Sequence, residues 1–261
     1  MPMITGKDNE LIKDTAKLMS SAKYRRESGR FAAEGVRLCM DGALSGAVIQ
    51  WFLYTESAQK KYAEEFMLLR QKAQRSSAVS EALFKKIADT TAPQGFLCIF
   101  AMPDAAHRLG SIRPQGRYAA LENIQDPSNL GTILRTAEAL GTDGVILSAD
   151  CCDVYAPKVV RGSMGAVFRV PMMFPEDFTA WIRSLREEHI ITYASTPHEA
   201  DNIRDIDFSQ GGVMLIGNEG NGLRPETMAA CDRSVRIEMK GRAESLNAAS
   251  AAAILLYHLT L

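Results

Sequence analysis

Short apolar runs alternate with helical segments in the second half of the sequence, and this alternation limits the possible folds more than any other feature. The runs IITYAS (190–195) and GVMLIG (212–217) contain no charged residue. A strand of this kind is buried on both faces, which is typical of parallel strands that helices cover. We therefore predict an α/β fold in which a mostly parallel sheet carries helices on both faces.

The chain divides into two predicted domains around a segment rich in Pro, Gly and charge. In the first hundred residues, AVIQWFLY (47–54) and GFLCIFA (95–101) have the β-branched and aromatic composition of strands. Residues 102–117 lack apolar periodicity, and we interpret them as a linker. We predict a smaller N-terminal α/β domain at 1–101 and a second domain at 118–261.

Three further segments have clear local patterns. SAQKKYAEEFMLLRQKAQ (57–74) predicts one amphipathic helix with a serine at its start. AVFRVPM (166–172) predicts a strand, and PEDFTAWIRSLREEH (175–189) predicts a helix with Pro175 in its first turn.

The sequence favours a cytoplasmic protein without a metal site. It has no run of 18 uncharged apolar residues, and its N-terminus lacks the basic and apolar regions of a secretory signal. The five cysteines form no CxxC pair and the four histidines are scattered, so we expect neither disulfides nor a metal. The vicinal pair Cys151 and Cys152 is interpreted as buried or incidental thiols.

Charge does not exclude an RNA partner. The net charge is -1, but local patches and not the total decide contact with phosphates. Residues 1–30 hold seven Lys and Arg against four Asp and Glu, and KYRRESGR (23–30) is the densest part. This segment is interpreted either as an RNA-contacting patch or as a solvated helix end.

Three loops with Gly or Asn follow predicted strands, at the sheet edge where ligands bind in open α/β folds. They lie at 122–141, 215–223 and 237–250. Closely spaced glycines in GNEGNG (217–222) let backbone N–H groups approach a ligand. The order is GxxGxG and not GxGxxG, and Glu219 would repel a pyrophosphate, so the loop departs from a dinucleotide-binding fingerprint.

The third loop opens an alanine-rich helix. Ser245 is a candidate N-cap of that helix or a candidate ligand-binding residue. The small side chains of the helix body predict close packing against another backbone, either within the domain or at a subunit interface.

Taken together, the three loops resemble the SpoU/TrmH family of RNA ribose 2′-O-methyltransferases. The family's N-x-G-x-x-x-R, G-x-E-x-x-G and I-x-M…S-L-N motifs are matched in order. The matching positions are Asn129, Gly131 and Arg135; Gly217, Glu219 and Gly222; and Ile237, Met239, Ser245, Leu246 and Asn247. The N-terminal part is similar to the substrate-binding domain that many family members carry.

The resemblance implies a trefoil-knotted C-terminal domain, a homodimer with its active site near the interface, and S-adenosylmethionine as methyl donor. It implies that the backbone at Gly217, Ile237 and Leu246 holds the adenosine part of the donor. The implied substrate is RNA, with ribosomal RNA preferred over transfer RNA.

The resemblance also implies roles for five polar residues at the reaction itself. The resemblance implies that Arg135 assists deprotonation of the 2′-hydroxyl. Because a guanidinium is a poor base, we expect instead that Arg135 grips a phosphate beside the target ribose, and any base function stays open. Asn129 and Asn247, whose side-chain amides can donate and accept hydrogen bonds at once, would orient their neighbours in the site. Glu219 would pair with Arg135 or Asn129. Ser245 would bind the substrate or cap its helix.

Two other functions remain open at this point. One is a non-catalytic RNA- or ribosome-binding protein on the same fold, which the complete set of polar motif residues disfavours. The other is a nucleotide-dependent oxidoreductase that uses the GNEGNG loop.

Overall fold

The computed structural model describes residues 3–103, 109–198 and 200–261, which fall into two compact units. The first unit contains the described chain up to residue 103 together with 155–168, and the second contains the remaining described residues. Residues 104–108 of the predicted linker lie outside the described residues. The domain boundary at 102–117 stays a prediction.

Strands and helices alternate along most of the chain. The strands are β1 (Arg30–Glu34), β2 (Ile49–Tyr54), β3 (Ser76–Ala78), β4 (Phe96–Ala101), β5 (Arg117–Leu121), β6 (Gly144–Leu147), β7 (Met172–Met173), β8 (Thr192–Ser195), β9 (Asp201–Asn202), β10 (Gly212–Ile216) and β11 (Arg233–Arg236). The helices are α1 (Glu10–Ser20), α2 (Ala22–Ser28), α3 (Val36–Leu44), α4 (Glu56–Lys61), α5 (Ala63–Lys72), α6 (Glu81–Ile87), α7 (Pro127–Ala139), α8 (Pro157–Gly162), α9 (Phe178–Ser184), α10 (Pro225–Ala230) and α11 (Ala248–Thr260).

The first unit is built on a four-stranded mixed sheet with the order β1-β4-β2-β3. Strand β4 runs antiparallel to β1 and β2, whereas β3 runs parallel to β2. Leu18 of α1 and Phe84 of α6 pack with Leu97 and Ile99 of β4 in one buried core. A smaller α/β unit at the N-terminus is therefore confirmed.

The second unit is built on a seven-stranded sheet with the order β7-β6-β5-β10-β8-β11-β9, in which every neighbouring pair is parallel. Every residue of β6 and β10 is buried, as expected when helices cover both faces. On one face, Phe178 and Ile182 of α9 pack with Val213 and Leu215. Helices α7 and α11 pack against β5, β6 and β10 from the other face. The predicted fold class is confirmed, while the knot stays a prediction.

The single helix predicted for 57–74 is wrong, because the segment forms two helices. Tyr62, with φ of -121° and ψ of 54°, interrupts the helical path between α4 and α5. Its ring packs against Phe96 at 5.8 Å between centroids, a contact that a continuous helical pattern does not reveal. The cap is Thr55, whose side chain accepts a hydrogen bond from the Ala58 N–H, and not Ser57.

The strand predicted for 166–172 is wrong over most of its length. Residues Ala166–Phe168 form a 3-10 turn, and the Ala166 N–H donates to the Ser163 carbonyl at 3.0 Å. Only Met172–Met173 pairs with β6. Pro171 has no backbone N–H, so it cannot donate a hydrogen bond to a neighbouring strand and the β-pairing stops there.

The helix predicted for 175–189 is shorter than its apolar pattern. Helix α9 begins at Phe178, and the Asp177 side chain caps it by accepting from the Ala180 N–H. Pro175 therefore precedes the helix instead of lying in its first turn. The helix ends at Ser184, and His189 takes a φ of 57° in the turn that follows.

The basic segment 23–30 is partly structural. Arg25 is buried and donates to the Leu18 carbonyl at 2.6 Å, and Arg30 forms a two-pronged pair with Asp14 at 2.8 and 2.9 Å. These two cations serve the fold of the first unit. Arg26 stays exposed to solvent.

Candidate active site

The predicted ligand loops of the second unit follow strands β5, β10 and β11, and so lie at the carboxyl edge of the parallel sheet. The loops after β8, β10 and β11 and the start of α11 enclose a cavity of ≈ 240 Å³. Its lining includes all three predicted cofactor residues, Gly217, Ile237 and Leu246. Glu219 and Ser245 also line it. The structure therefore brings these five predicted residues together.

The loop after β10 is a tight turn without room for a side chain at Gly217. A Cβ on Gly217 would lie 2.2 Å from the carbonyl carbon of Gly222. Asn218 and Gly222 exchange two backbone hydrogen bonds of 3.0 Å, and Gly222 has a φ of 69°, which favours glycine. The Asn218 side chain also accepts from the N–H groups of Gly220 and Asn221. The loop therefore presents bare backbone to the cavity at Gly217.

Glu219 ties this loop to the one after β5. Its carboxylate accepts hydrogen bonds from the Gln125 N–H at 3.2 Å, the Asp126 N–H at 3.1 Å and the Asn129 side-chain amide at 3.0 Å. Burial alone would raise the pKa of Glu219, but the bonds from Asn129 and from backbone amides lower it below its ordinary value. Of the two partners expected from the sequence, Glu219 contacts Asn129 and not Arg135.

A chain of hydrogen bonds continues from Asn129 to the last helix. Asn129 is only 7% exposed, and its Oδ1 accepts from the Asn247 Nδ2 at 2.9 Å. The Asn247 Oδ1 in turn accepts from two backbone N–H groups in the first turn of α11. Because each amide has one fixed acceptor role and one fixed donor role, the network sets both orientations. Asn247 is thus the N-cap of α11, and the N-cap interpretation of Ser245 is wrong.

Arg135 lies apart from this network. It is exposed and lines a second groove, between α7 and α11, with Ile254 and Tyr257. It makes no hydrogen bond or ion pair with any residue that the structure describes. Its neighbour Glu138 pairs with Arg169 instead. No residue in the described part of the chain therefore acts as a structural partner that would explain the presence of Arg135 on α7.

A family comparison decides the class of protein to which this site belongs. Residues 116–257 match the model of the SpoU rRNA methylase family. The chain belongs to this family. Residues 9–98 match a second model, that of the MRM3-like substrate binding domain.

Individual SpoU relatives match the chain over nearly its whole length. A 23S rRNA (guanosine(2553)-2′-O)-methyltransferase of Bacillus subtilis is 28% identical over 259 residues, covering 99% of each chain. A 23S rRNA (uridine(2479)-2′-O)-methyltransferase of Streptomyces viridochromogenes is 32% identical over 248 residues, covering 92% of this chain and 85% of the relative. The crystal structure of an AdoMet-bound rRNA methyltransferase from Sinorhizobium meliloti matches with a TM-score of 0.86 at 32% identity, covering 99% of this chain and 97% of that one.

Sequence reasoning missed one buried carboxylate of the SpoU domain. Glu122, at the end of β5, is fully buried and accepts from the Arg224 N–H at 2.8 Å and the Thr227 hydroxyl at 2.6 Å. Next to it, the Asn123 carbonyl accepts from the Asn218 side chain at 2.8 Å. These bonds join the loop after β5 to the loop after β10. The available signal was a glutamate that directly ends an apolar strand.

The vicinal cysteines of the SpoU domain are poorly suited to nucleophilic chemistry. Burial, followed by the neighbouring Cys151 and Glu219, raises the pKa of Cys152 to about 12. Burial also raises the pKa of Cys151. Both thiols therefore stay protonated near neutral pH, since the thiolate is the reactive form.

Two negative observations apply to the part of the chain that the structure describes. None of its helices has the length and apolarity required to cross a bilayer. Its His, Cys, Asp and Glu side chains form no group of three or more that could hold a metal ion.

Proposed function

We propose that this SpoU family member transfers a methyl group from S-adenosylmethionine to the 2′-hydroxyl of a ribose in ribosomal RNA. The observation that carries the proposal is the hydrogen-bonded chain from Glu219 through Asn129 to Asn247. This chain begins at a residue that lines the cavity of Gly217 and Leu246. It orients two side-chain amides beside a pocket for a small ligand.

The cavity suits a ligand with an adenosine part. Its wall is bare backbone at Gly217, while Ile237, Met239 and Leu246 add apolar surface. Backbone N–H and C=O groups of a preorganised loop can pair with an adenine edge at low entropic cost, and apolar walls suit the ring faces. We assign the holding of the adenosine to Gly217, Ile237 and Leu246. S-adenosylmethionine, when bound, supplies an electrophilic methyl group on its sulfonium.

The two asparagines are assigned to alignment of the ribose. Asn129 donates one N–H to Glu219 and Asn247 donates one N–H to Asn129, so each amide keeps a second N–H. The lowered pKa of Glu219 keeps its carboxylate ionised and the Asn129 amide fixed. Ser245, which is exposed at the cavity, is assigned a hydrogen bond to the substrate.

Arg135 is assigned to a phosphate of the substrate. A guanidinium grips a phosphate through two parallel hydrogen bonds but is a poor proton acceptor. Within one chain Arg135 lines the groove between α7 and α11 and not the cofactor cavity. Ile254 and Tyr257 in that groove are 37% and 52% exposed, which is high for apolar and aromatic side chains. We propose that a second copy of the chain covers the groove. Arg135 of one copy would then lie beside the cofactor cavity of the other and bind the substrate phosphate there.

Ribosomal RNA is preferred over transfer RNA as the substrate. Both named relatives are 23S rRNA methyltransferases, and residues 9–98 match a substrate-binding domain. The relatives' names give different nucleosides, so the proposal concerns the ribose and no particular base. The cytoplasm stays the proposed location, and the trefoil knot stays part of the proposed fold.

The test is transfer of labelled methyl from S-adenosylmethionine to ribosomal subunits, free ribosomal RNA and transfer RNA, all from cells that lack the gene. We expect label in ribosomal RNA, with about 100-fold slower transfer by Asn129→Ala, because loss of alignment costs that much in comparable sites. Label in transfer RNA alone would support the transfer-RNA alternative. Bound S-adenosylhomocysteine without label in any fraction would support the non-catalytic alternative.

A further inference from the structure

A shallow depression adjoins the cofactor cavity and shares lining residues with it. Its walls are Pro197, His198, Ala200 and Arg236, and its volume is ≈ 560 Å³. Pro197 and His198 also line the cavity of ≈ 240 Å³ that contains Gly217. The two spaces therefore meet at His198, in the loop after β8.

Among the residues that the structure describes, the depression is lined by the side chains of His198 and Arg236 and by no acid. Arg236, at the end of β11, is half-buried and donates from Nε to the Ala200 carbonyl at 3.0 Å, which fixes its guanidinium plane. Among the described residues, neither its terminal nitrogens nor the His198 ring has a hydrogen-bond or ion-pair partner. Of the described acids that flank the site in sequence, Asp201 and Glu238 line neither space, and Glu199 lies outside the described residues.

Such an arrangement favours an anion. A half-buried guanidinium that lacks a carboxylate leaves donors unsatisfied, and an anionic oxygen satisfies them with charge-assisted hydrogen bonds. The neighbouring cavity has one carboxylate, Glu219, and one imidazole ring, His198, among its described lining residues. The combined space is therefore negative at Glu219 and positive at Arg236, and the His198 ring adds a nitrogen that can donate a hydrogen bond.

We infer that His198 and Arg236 bind the α-carboxylate of the methionine part of S-adenosylmethionine. This inference rests on the proposed function, because it requires that molecule in the adjoining cavity. The donor carries one carboxylate, at the end of its methionine part, together with cationic sulfonium and ammonium groups. The polarity of the combined space matches that distribution of charge. A phosphate of the RNA is the other anion that could reach the depression.

The test compares two ligands that differ only in the carboxylate. S-adenosylhomocysteine and its decarboxylated analogue are titrated calorimetrically into wild type, His198→Ala and Arg236→Gln. Glutamine at 236 keeps a neutral N–H donor for the Ala200 carbonyl while it removes the charge. Arg233→Gln is the matched control, because Arg233 lies exposed on the same strand and lines neither space.

Wild type and Arg233→Gln should bind the complete ligand about tenfold more tightly than the analogue, as expected for a charge-assisted hydrogen bond near the surface. His198→Ala and Arg236→Gln should bind the analogue as wild type does and lose most of the preference for the carboxylate. Unchanged binding of the analogue also shows that these variants are folded.

Three results would overturn the inference. The first is a wild type without preference between the ligands, and the second is an equal loss for both ligands in Arg236→Gln. The third is an unchanged preference together with a raised KM for RNA, which would assign the anion to a phosphate. A wild type that prefers the complete ligand but methylates no RNA would contradict the proposed function alone.

Discussion

At the scale of single residues, the charge of Glu219 determines the geometry of the site. One carboxylate accepts from two backbone amides and from the Asn129 side chain, with bonds on both of its oxygens. A protonated acid would keep fewer acceptor positions and would place a donor among donors. The network from Glu219 to Asn247 therefore requires the ionised form.

The first prediction concerns how the contribution of Glu219 to the stability of the fold depends on pH. The pKa of Glu219 is lowered in the folded protein, so its stabilising effect is fully present above the ordinary Glu pKa of about 4.3 and is lost as pH falls through the lowered folded value. The unfolding midpoints of wild type and Glu219→Gln should differ by a constant amount near neutral pH and converge in acid. A difference that widens in acid would contradict this account.

The second prediction compares two glycines of one loop. In Gly217→Ala the new Cβ would lie 2.2 Å from the Gly222 backbone, so the turn must open. Affinity for S-adenosylhomocysteine should fall by at least about tenfold, the scale expected when one hydrogen bond from the loop backbone to the ligand is lost. Gly220→Ala is the control, since its nearest atom, the Asn218 Oδ1, is 3.6 Å away. Equal binding by both variants would show that the turn does not shape the pocket.

At the scale of secondary-structure elements, Asn247 has two separable functions. Its Oδ1 caps α11, and its Nδ2 orients Asn129. An N-cap contributes about 1 kcal/mol to the stability of a helix, whereas the second contact contributes to the arrangement of the site.

The third prediction separates these functions. Asn247→Asp keeps an oxygen for the cap but loses the N–H for Asn129, so it should lose methyl transfer while its unfolding midpoint changes little. Asn247→Ala should lose transfer and also about 1 kcal/mol of stability. As a control, Asn9→Ala removes the cap of α1 and should destabilise the protein without reducing the turnover number. Full activity in Asn247→Asp would exclude a positioning role.

Elements with a continuous apolar pattern could be predicted, and elements shaped by tertiary contacts could not. Strands β6 and β10 are buried throughout, so composition alone identifies them. Residues 166–172 are also mostly apolar, but they begin with a buried 3-10 turn, and only Pro171 indicated that β-pairing would be interrupted there. The split at Tyr62 depends on its packing against Phe96, 34 residues away in the chain, which no local period reveals.

The candidate site shows the same division. The convergence of its loops could be predicted, because parallel strands share a carboxyl edge. The bond between Asn129 and Glu219 joins residues 90 positions apart, and the sequence left Asn129 and Arg135 as equal candidates for that partner. The depression at His198 and Arg236 has no motif, because it depends on the alignment of β8 with β11.

At the scale of the whole molecule, one chain leaves Arg135 outside the cofactor cavity. If a second copy covers the groove between α7 and α11, each active site combines a cavity from one chain with an Arg135 from the other. Closed two-fold dimers contain two such equivalent sites.

The fourth prediction is complementation between inactive variants. Arg135→Ala keeps an intact cavity, and Gly217→Ala keeps an intact Arg135. At a donor concentration well below the weakened Kd of Gly217→Ala, each variant should have little activity alone. After refolding or co-expression at equal amounts, half of the dimers are mixed and each has one complete site, so about a quarter of wild-type activity should return. Sedimentation must show that both variants form dimers. No recovery in mixed dimers would mean that Arg135 acts within its own chain.

The most direct measurement of the central claim is a map of ribose methylation on ribosomal RNA from cells that lack the gene. Cells complemented with wild type and with Asn129→Ala are compared by partial alkaline hydrolysis, because a 2′-O-methyl group removes the nucleophile that cleaves the adjacent phosphodiester. The account predicts one protected position that wild type restores and Asn129→Ala does not. An unchanged pattern in all three strains, or a methyl group on a base, would contradict it.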